Sequence, residues 1–315
     1  VNSLYNIIDS YFVAKISENA MTALSLVYPL QILINAVAVG LGIGLNTAAS
    51  FYLGAQDHEK ANDSASLGMV LSVIHGLVLT FVCVLIVPSF LHLFTQDESV
   101  ISYALTYSYI VFGFTTPITI SIAMEKIFQA EGQMMITMTT MLCGCITNIV
   151  LDPIFIFGLG PVPEMGIAGA AWATGIGQIV PMVLYFIIYL KKPLPLRLRI
   201  RKGMFDRKLC GRIYGVGIPA ALNMALPSLM ITALNGILAS FSAVYVLVLG
   251  IYYKLQTFIY LTANGIVQGI RPIAGYNYGA GEYQRVRNVF KTALALTAGV
   301  MLAGTIICMT FASWL

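Results

Sequence analysis

The chain has 315 residues and a formal net charge of +4, yet only 10% of its residues are charged and 58% are hydrophobic. A soluble domain is usually about 25% charged, and with a mean hydropathy of +0.86 no water-soluble globule could bury this much apolar surface and still cover its exterior. The excess runs along the whole chain, which excludes a leader peptide as its source and points to an all-α polytopic membrane protein.

The first apolar piece, Leu4–Ala14, is too short to cross a bilayer, and the chain begins at Val1. Residues 1–15 therefore read as the outer end of a helix whose start is missing. Charge-free runs define the spans that follow, because a charge at mid-bilayer costs about 3 kcal/mol and a crossing helix needs about 20 residues. Eight complete helices are predicted, at roughly 20–46, 66–91, 100–124, 134–158, 166–190, 213–238, 243–270 and 289–313. Ser240–Ser242 is the expected turn between the sixth and seventh of these. The prolines inside spans, such as Pro117, Pro153 and Pro181, are tolerated better in lipid than in water.

Orientation follows from Lys and Arg. If the first helix exits outward, 15 of the 17 basic residues fall in inner loops, Lys126 and Arg271 among them, with Lys15 outside and Lys254 within a span. The segment 191–212 holds nine of those charges. It is an ordinary positive-inside linker or a surface for anionic lipid or a partner.

The five cysteines lie in or beside apolar runs and form no CxxC pair, so they read as small apolar fillers. The histidines His58, His75 and His92 lack ligand spacing, and a zinc-type centre is not expected.

A shift of 225 residues aligns Tyr28–Ala55 with Tyr253–Ala280 without a gap and gives ten identities in 28 positions. The offset covers an even number of helices, so both copies face the same way, as in transporters built from parallel repeats. The expected architecture is two six-helix lobes. The first occupies 1–190, the linker 191–212, and about three helices of the second occupy 213–315. On this reading the chain is a fragment of a twelve-helix protein, with a natural nine-helix protein as the alternative. The paired glycines Gly40/Gly44 and Gly265/Gly269 suit close helix packing; no strand precedes Gly40, so a nucleotide-binding loop is not indicated.

Two acidic residues, Asp9 and Asp152, are expected inside spans. Each lies six residues before an outer helix end, taken as Lys15 and Gly158, or roughly 9 Å below the surface at 1.5 Å per residue. Asn148 shares a helix face with Asp152, and Pro153 withholds a donor from the carbonyl of Ile149. Buried carboxylates with amide and carbonyl oxygens nearby suit a proton or a hard cation such as sodium. The alternative is two separate interfacial caps.

Several blocks resemble the multidrug and toxic compound extrusion (MATE) transporters. They are Asn2–Val13 (NSLYNIIDSYFV), Phe128–Gly132 (FQAEG), Asn148–Gly158 (NIVLDPIFIFG), Gly166–Thr174 (GIAGAAWAT) and Pro272–Ala280 (PIAGYNYGA). The resemblance covers essentially the whole chain and implies two lobes that rock between inward- and outward-open states. It also implies a cation site in the first lobe at Asp9, Asn148, Asp152 and Thr174. The acidic residue that some members carry in the seventh helix is absent from 213–238, where Leu234 stands opposite Asp9 in the repeat.

The expected function is a secondary antiporter of the plasma membrane, exporting organic and often cationic compounds in exchange for protons or sodium. It needs no cofactor beyond that ion and no nucleic-acid partner, and it is expected to be monomeric. Tyr5, Tyr11, Phe155 and Met224 are candidates for an adaptable substrate surface, though each also reads as packing. A lipid or lipid-linked saccharide flippase is the alternative, and an intramembrane enzyme built on the two aspartates a third reading.

Overall fold

A computed structural model describes residues 2–160, 162–192, 194–239 and 241–310; within these, side chains are outside the description at residues 2–7, at 202, and at a set of positions between 228 and 258 that includes Lys254. Among the described residues the chain forms ten α-helices, one short 3-10 helix at Lys202–Met204, and no strand. The helices are α1 Asn2–Ala14, α2 Glu18–Gly54, α3 His58–His92, α4 Glu98–Gly113, α5 Thr115–Ala130, α6 Met134–Phe157, α7 Ile167–Lys191, α8 Arg207–Ala239, α9 Ala243–Gly279 and α10 Tyr283–Thr310. Six of them, and α4 with α5 taken as a seventh, are long and apolar enough to cross a membrane.

The helices outrun the charge-free segments. α2 and α9 each have 37 residues, about 55 Å at 1.5 Å per residue against a hydrocarbon core of about 30 Å. Hydropathy detects only the part in lipid, and the polar inner ends continue as helix beyond it. The span expected at 100–124 is instead broken in two, with a 45° bend at Phe114. Pro117 has no N–H to give the carbonyl of Gly113, so the ladder is interrupted there. The bend lays the Phe114 ring edge-on against Trp172, 5.4 Å between centroids, over Gly175, where a Cβ would come within 2.2 Å of the ring.

The internal repeat extends to the helix boundaries. Ala14 pairs with Ala239, Glu18 with Ala243, Gly54 with Gly279, and His58 with Tyr283 as starts or ends of helices, each pair 225 residues apart. The turn after each long helix is also duplicated. Asp57 N donates to Tyr52 O at 3.0 Å and Glu282 N to Asn277 O at 2.9 Å. The residues at the left-handed position are Gln56 (φ 59°) and Gly281 (φ 75°). This is a Schellman-type end. Ser240 of the expected α8–α9 turn lies outside the described residues, and Phe241 and Ser242 complete the break.

The two sets of helices, α1–α7 and α8–α10, meet in their inner halves. A Cβ added at Gly44 would lie 2.1 Å from the carbonyl oxygen of Ile213, and one at Gly40 2.6 Å from the Cβ of Ala221. Farther in, α2 and α9 interlock about the repeat axis: a Cβ at Gly54 would lie 1.8 Å from Tyr276 O, and one at Gly279 1.9 Å from Phe51 O. The arrangement is closed on the inner side.

The basic segment after α7 is strapped to the first lobe. Leu196 N donates to Glu131 Oε1 at 2.7 Å, Arg197 N to Asn62 Oδ1 at 2.6 Å, Leu198 N to the Tyr189 hydroxyl at 2.7 Å and Arg199 N to Ser66 Oγ at 2.8 Å. The Arg201 guanidinium grips both Asp63 oxygens at 2.9 and 2.7 Å and also pairs with Glu59. Leu194, Leu196 and Met204 are buried beneath the strap.

Candidate cation and substrate site

Along α6 the buried positions Thr137, Thr140, Gly144, Asn148, Asp152 and Ile156 recur every three or four residues, which makes one inward stripe. On α1 the buried pair is Asp9 and Val13, again four apart. α7 presents Ala170, Thr174, Gly177 and Pro181. Small residues allow α6 and α7 to approach at this level: a Cβ at Gly177 would fall 2.8 Å from the Cβ of Asn148, and one at Gly169 2.5 Å from the Phe155 carbonyl.

Four side chains are thereby placed on three helices that pack together, α1, α6 and α7. Asn148 Nδ2 donates to Asp152 Oδ1 at 3.2 Å. α1 packs against α6, and Asp9 and Asp152 are both buried on these neighbouring helices. Asn148 and Thr174 line the same cavity. The exposures are 4% for Asp9, 2% for Asn148, 0% for Asp152 and 9% for Thr174. Asp9 and Asp152 each lie five residues before the end of their helix, at a matching depth of about 7.5 Å.

Hydrogen bonding does not satisfy this group. Asp9 Oδ1, Asn148 Oδ1, Asp152 Oδ2 and Thr174 Oγ1 are buried without a hydrogen-bond partner among the described residues. The other buried polar atoms in that condition belong to α4, α5 and the loop after α5: Ser108, Thr115 and Glu131. Each such atom costs about 1–3 kcal/mol, and an ionised carboxylate more, so a proton or a cation that supplied the missing partner would be held firmly. The donors are all oxygen, and no cluster of three or more His, Cys, Asp or Glu occurs among the described residues. An all-oxygen set suits a proton or a hard ion of the sodium type rather than a transition metal.

The cavity that Asn148 and Thr174 line has a volume of about 200 Å³ and is bounded also by Asn35, Lys126, Met224 and Gln268. Of the substrate-surface candidates, Met224 lies on its wall. Phe155 is half-buried and does not line it, and its backbone carbonyl packs against Gly169 of α7. Tyr11 is 57% exposed and stacks under Lys15 Nζ at 4.3 Å on the outer rim. The Tyr5 side chain lies outside the described residues.

Two assignments change. Lys126, counted as an inner-loop charge, is 4% exposed within α5, and Glu125 beside it is a further buried acid at 9%. The spacing Glu125, Lys126, Gln129 carries the signal, since positions four apart share a helix face and can satisfy one another.

These features define a multi-pass helical membrane protein with a parallel internal repeat, a buried oxygen-rich site in one lobe and a polar cavity between the lobes. The MatE family profile matches residues 1–154 and 219–315, and the chain belongs to that family of transporters. It is 26% identical over 308 residues to the multidrug export protein MepA of Staphylococcus haemolyticus, covering 98% of this chain and 66% of the relative. It is 25% identical, with the same coverage, to MepA of Staphylococcus aureus. A solved structure of the outward-facing conformation of a multidrug resistance MATE family transporter superimposes with a TM-score of 0.91 at 25% identity, covering 99% of this chain and 68% of that one. The chain thus spans just under two thirds of the length of the curated relatives it matches.

Proposed function

We propose that the protein is a secondary antiporter of the plasma membrane that exports organic compounds, and that a proton or sodium ion entering at Asp9, Asn148, Asp152 and Thr174 drives the exchange. The division into a lobe at 1–190, a linker at 191–212 and a second lobe from 213 is part of this reading. One observation carries it: four buried oxygen atoms on these four residues lack partners among the described residues, and two of the four, Asn148 and Thr174, line the cavity between the lobes. In this reading the ion binds when the cavity faces outward, its binding favours release of the compound, and occupancy sets the balance between the two access states. The MepA relatives are multidrug export proteins, which supports small organic molecules as the cargo.

The test is export by the full-length protein in proteoliposomes, under a proton gradient and a sodium gradient separately. Asp9→Asn and Asp152→Asn should each abolish gradient-driven export. Unchanged export in both variants removes the coupling role from this site.

A further inference from the structure

The inner half of the molecule carries a second group of charged side chains that has no part in the cation site. On α5, Lys126 Nζ donates to Glu125 Oε1 at 2.9 Å and to Gln129 Oε1 at 3.0 Å, while Gln129 Nε2 donates to the same Glu125 oxygen at 2.6 Å. The ion pair is buried, its side chains 5% and 12% exposed. The third contact of Lys126 crosses to the other lobe, where Gln268 Oε1 accepts at 3.4 Å. It is the longest of the three and the most easily exchanged.

That crossing bond separates two spaces. On its outer side lies the cavity reaching Asn148 and Thr174. On its inner side a narrow crevice runs between Ile43, Asn46, Lys126, Gln129, Gln268 and Arg271. Ile43 and Gln268, and likewise Asn46 and Arg271, are related by the 225-residue repeat, so the crevice lies on the axis between the lobes. Asn46 is engaged, its Nδ2 donating to the Lys126 carbonyl at 2.9 Å. Arg271 is half-buried, and none of the ion pairs among the described residues includes it.

A desolvated guanidinium without a counter-charge is costly. Two cations and no carboxylate line the crevice; Glu125, which lines the outer cavity, is already bonded to Lys126 and Gln129. The five donors of an arginine fork match the geometry of a carboxylate.

We infer that Lys126 and Arg271 form a subsite for a carboxylate, or another singly charged anionic group, on the compound this protein carries. The group enters as the lobes part on the inner side, replaces the Gln268 amide oxygen on Lys126 and accepts the Arg271 fork. The apolar body of the compound then lies in the cavity beside Met141 and Met224, both of which line it. The cargo is on this basis acidic or zwitterionic. The inference rests on the export reading for the existence of an organic cargo; the anionic anchor is what it adds.

The test is equilibrium binding to the full-length protein in detergent, by fluorescence polarisation, of a rhodamine bearing a free carboxylate and of its methyl ester. The wild type should bind the acid roughly tenfold more tightly, the scale of one charge-assisted hydrogen bond. Arg271→Gln should bring the ratio to within about twofold, and Arg271→Lys should keep most of it. Arg212→Gln, which removes an inner-face cation stacked on Phe51, should leave the ratio as it is. Benzoate should displace the acid dye and not the ester, a measurement on the wild type that needs no folded variant. Equal affinities in the wild type, a preference that survives Arg271→Gln, or displacement of both dyes alike by benzoate overturns the inference. Binding in the expected pattern without gradient-driven export leaves the subsite standing and removes the antiport reading. Gradient-driven export with equal affinities does the reverse.

Discussion

Asn148 gives its amide to Asp152 across one turn of α6, at 3.2 Å, and its own carbonyl oxygen has no partner among the described residues. The amide therefore acts twice: it fixes the carboxylate through a donor and offers a further oxygen beside it. Asn148→Leu removes both. We expect ion-driven export to fall at least tenfold, since one lost charge-assisted bond in a buried site is worth about 1.5–3 kcal/mol. Initial rates in proteoliposomes under a fixed gradient measure this, and rates within about twofold of wild type would contradict it.

The buried pair of Glu125 and Lys126 gives a sharper contrast. Removing one partner strands a charge in low dielectric and costs roughly 3–5 kcal/mol, whereas replacing both by apolar residues is often neutral. Glu125→Leu should therefore lower the melting temperature in detergent, and Glu125→Leu with Lys126→Leu should restore much of it. A double variant less stable than the single one would show that the pair contributes net stability.

The close approach of α2 and α9 leaves no room for a methyl group at Gly54 or Gly279. Forcing one in should cost about 1–3 kcal/mol, and only in the state closed on the inner side. Gly54→Ala should thus raise the reactivity of a cysteine placed at Ser50, which packs against Gly275, toward a membrane-impermeant thiol reagent added from the inner side. Unchanged labelling would mean that the interlock is not what closes this face.

Glu131 stands at the inner end of α5, outside the membrane. Burial pushes its carboxyl up to about 7 from an ordinary 4.5, opposed by the Leu196 amide and Lys192. A carboxyl raised in the folded protein weakens folding as pH rises. Below 4.5 the group is protonated in both states, between 4.5 and 7 the penalty accumulates, and above 7 it is complete. Discounted for partial exposure, the strap at Leu196 should loosen by on the order of 1 kcal/mol between pH 5 and pH 8. The protection factor of the Leu196 amide in hydrogen exchange reads this directly, and Glu131→Gln should flatten the profile.

Much of the fold could be read from the sequence because lipid imposes a simple rule: charge-free runs become spans, and the repeat then supplies their order. The matching depth of Asp9 and Asp152 followed from counting along two outward helices. Other features had no such signature. Lys126 looks like a loop residue when charges are counted by position, and its burial depends on Gly42 across the helix pair, where a Cβ would come within 2.9 Å of the lysine Cγ. The break at Phe114 depends on which of several prolines interrupts a ladder. The strap is held largely by backbone N–H groups, which every residue but proline possesses, so composition cannot mark it.

The strap has a mechanical consequence. Because residues 194–204 are fastened to the first lobe by backbone bonds, by Arg201 and by buried Leu194, Leu196 and Met204, the connection between the halves is far shorter than its 191–212 length suggests. Only Phe205 and Asp206 remain before α8 begins at Arg207. If one half swings against the other, the tether bends at that two-residue hinge.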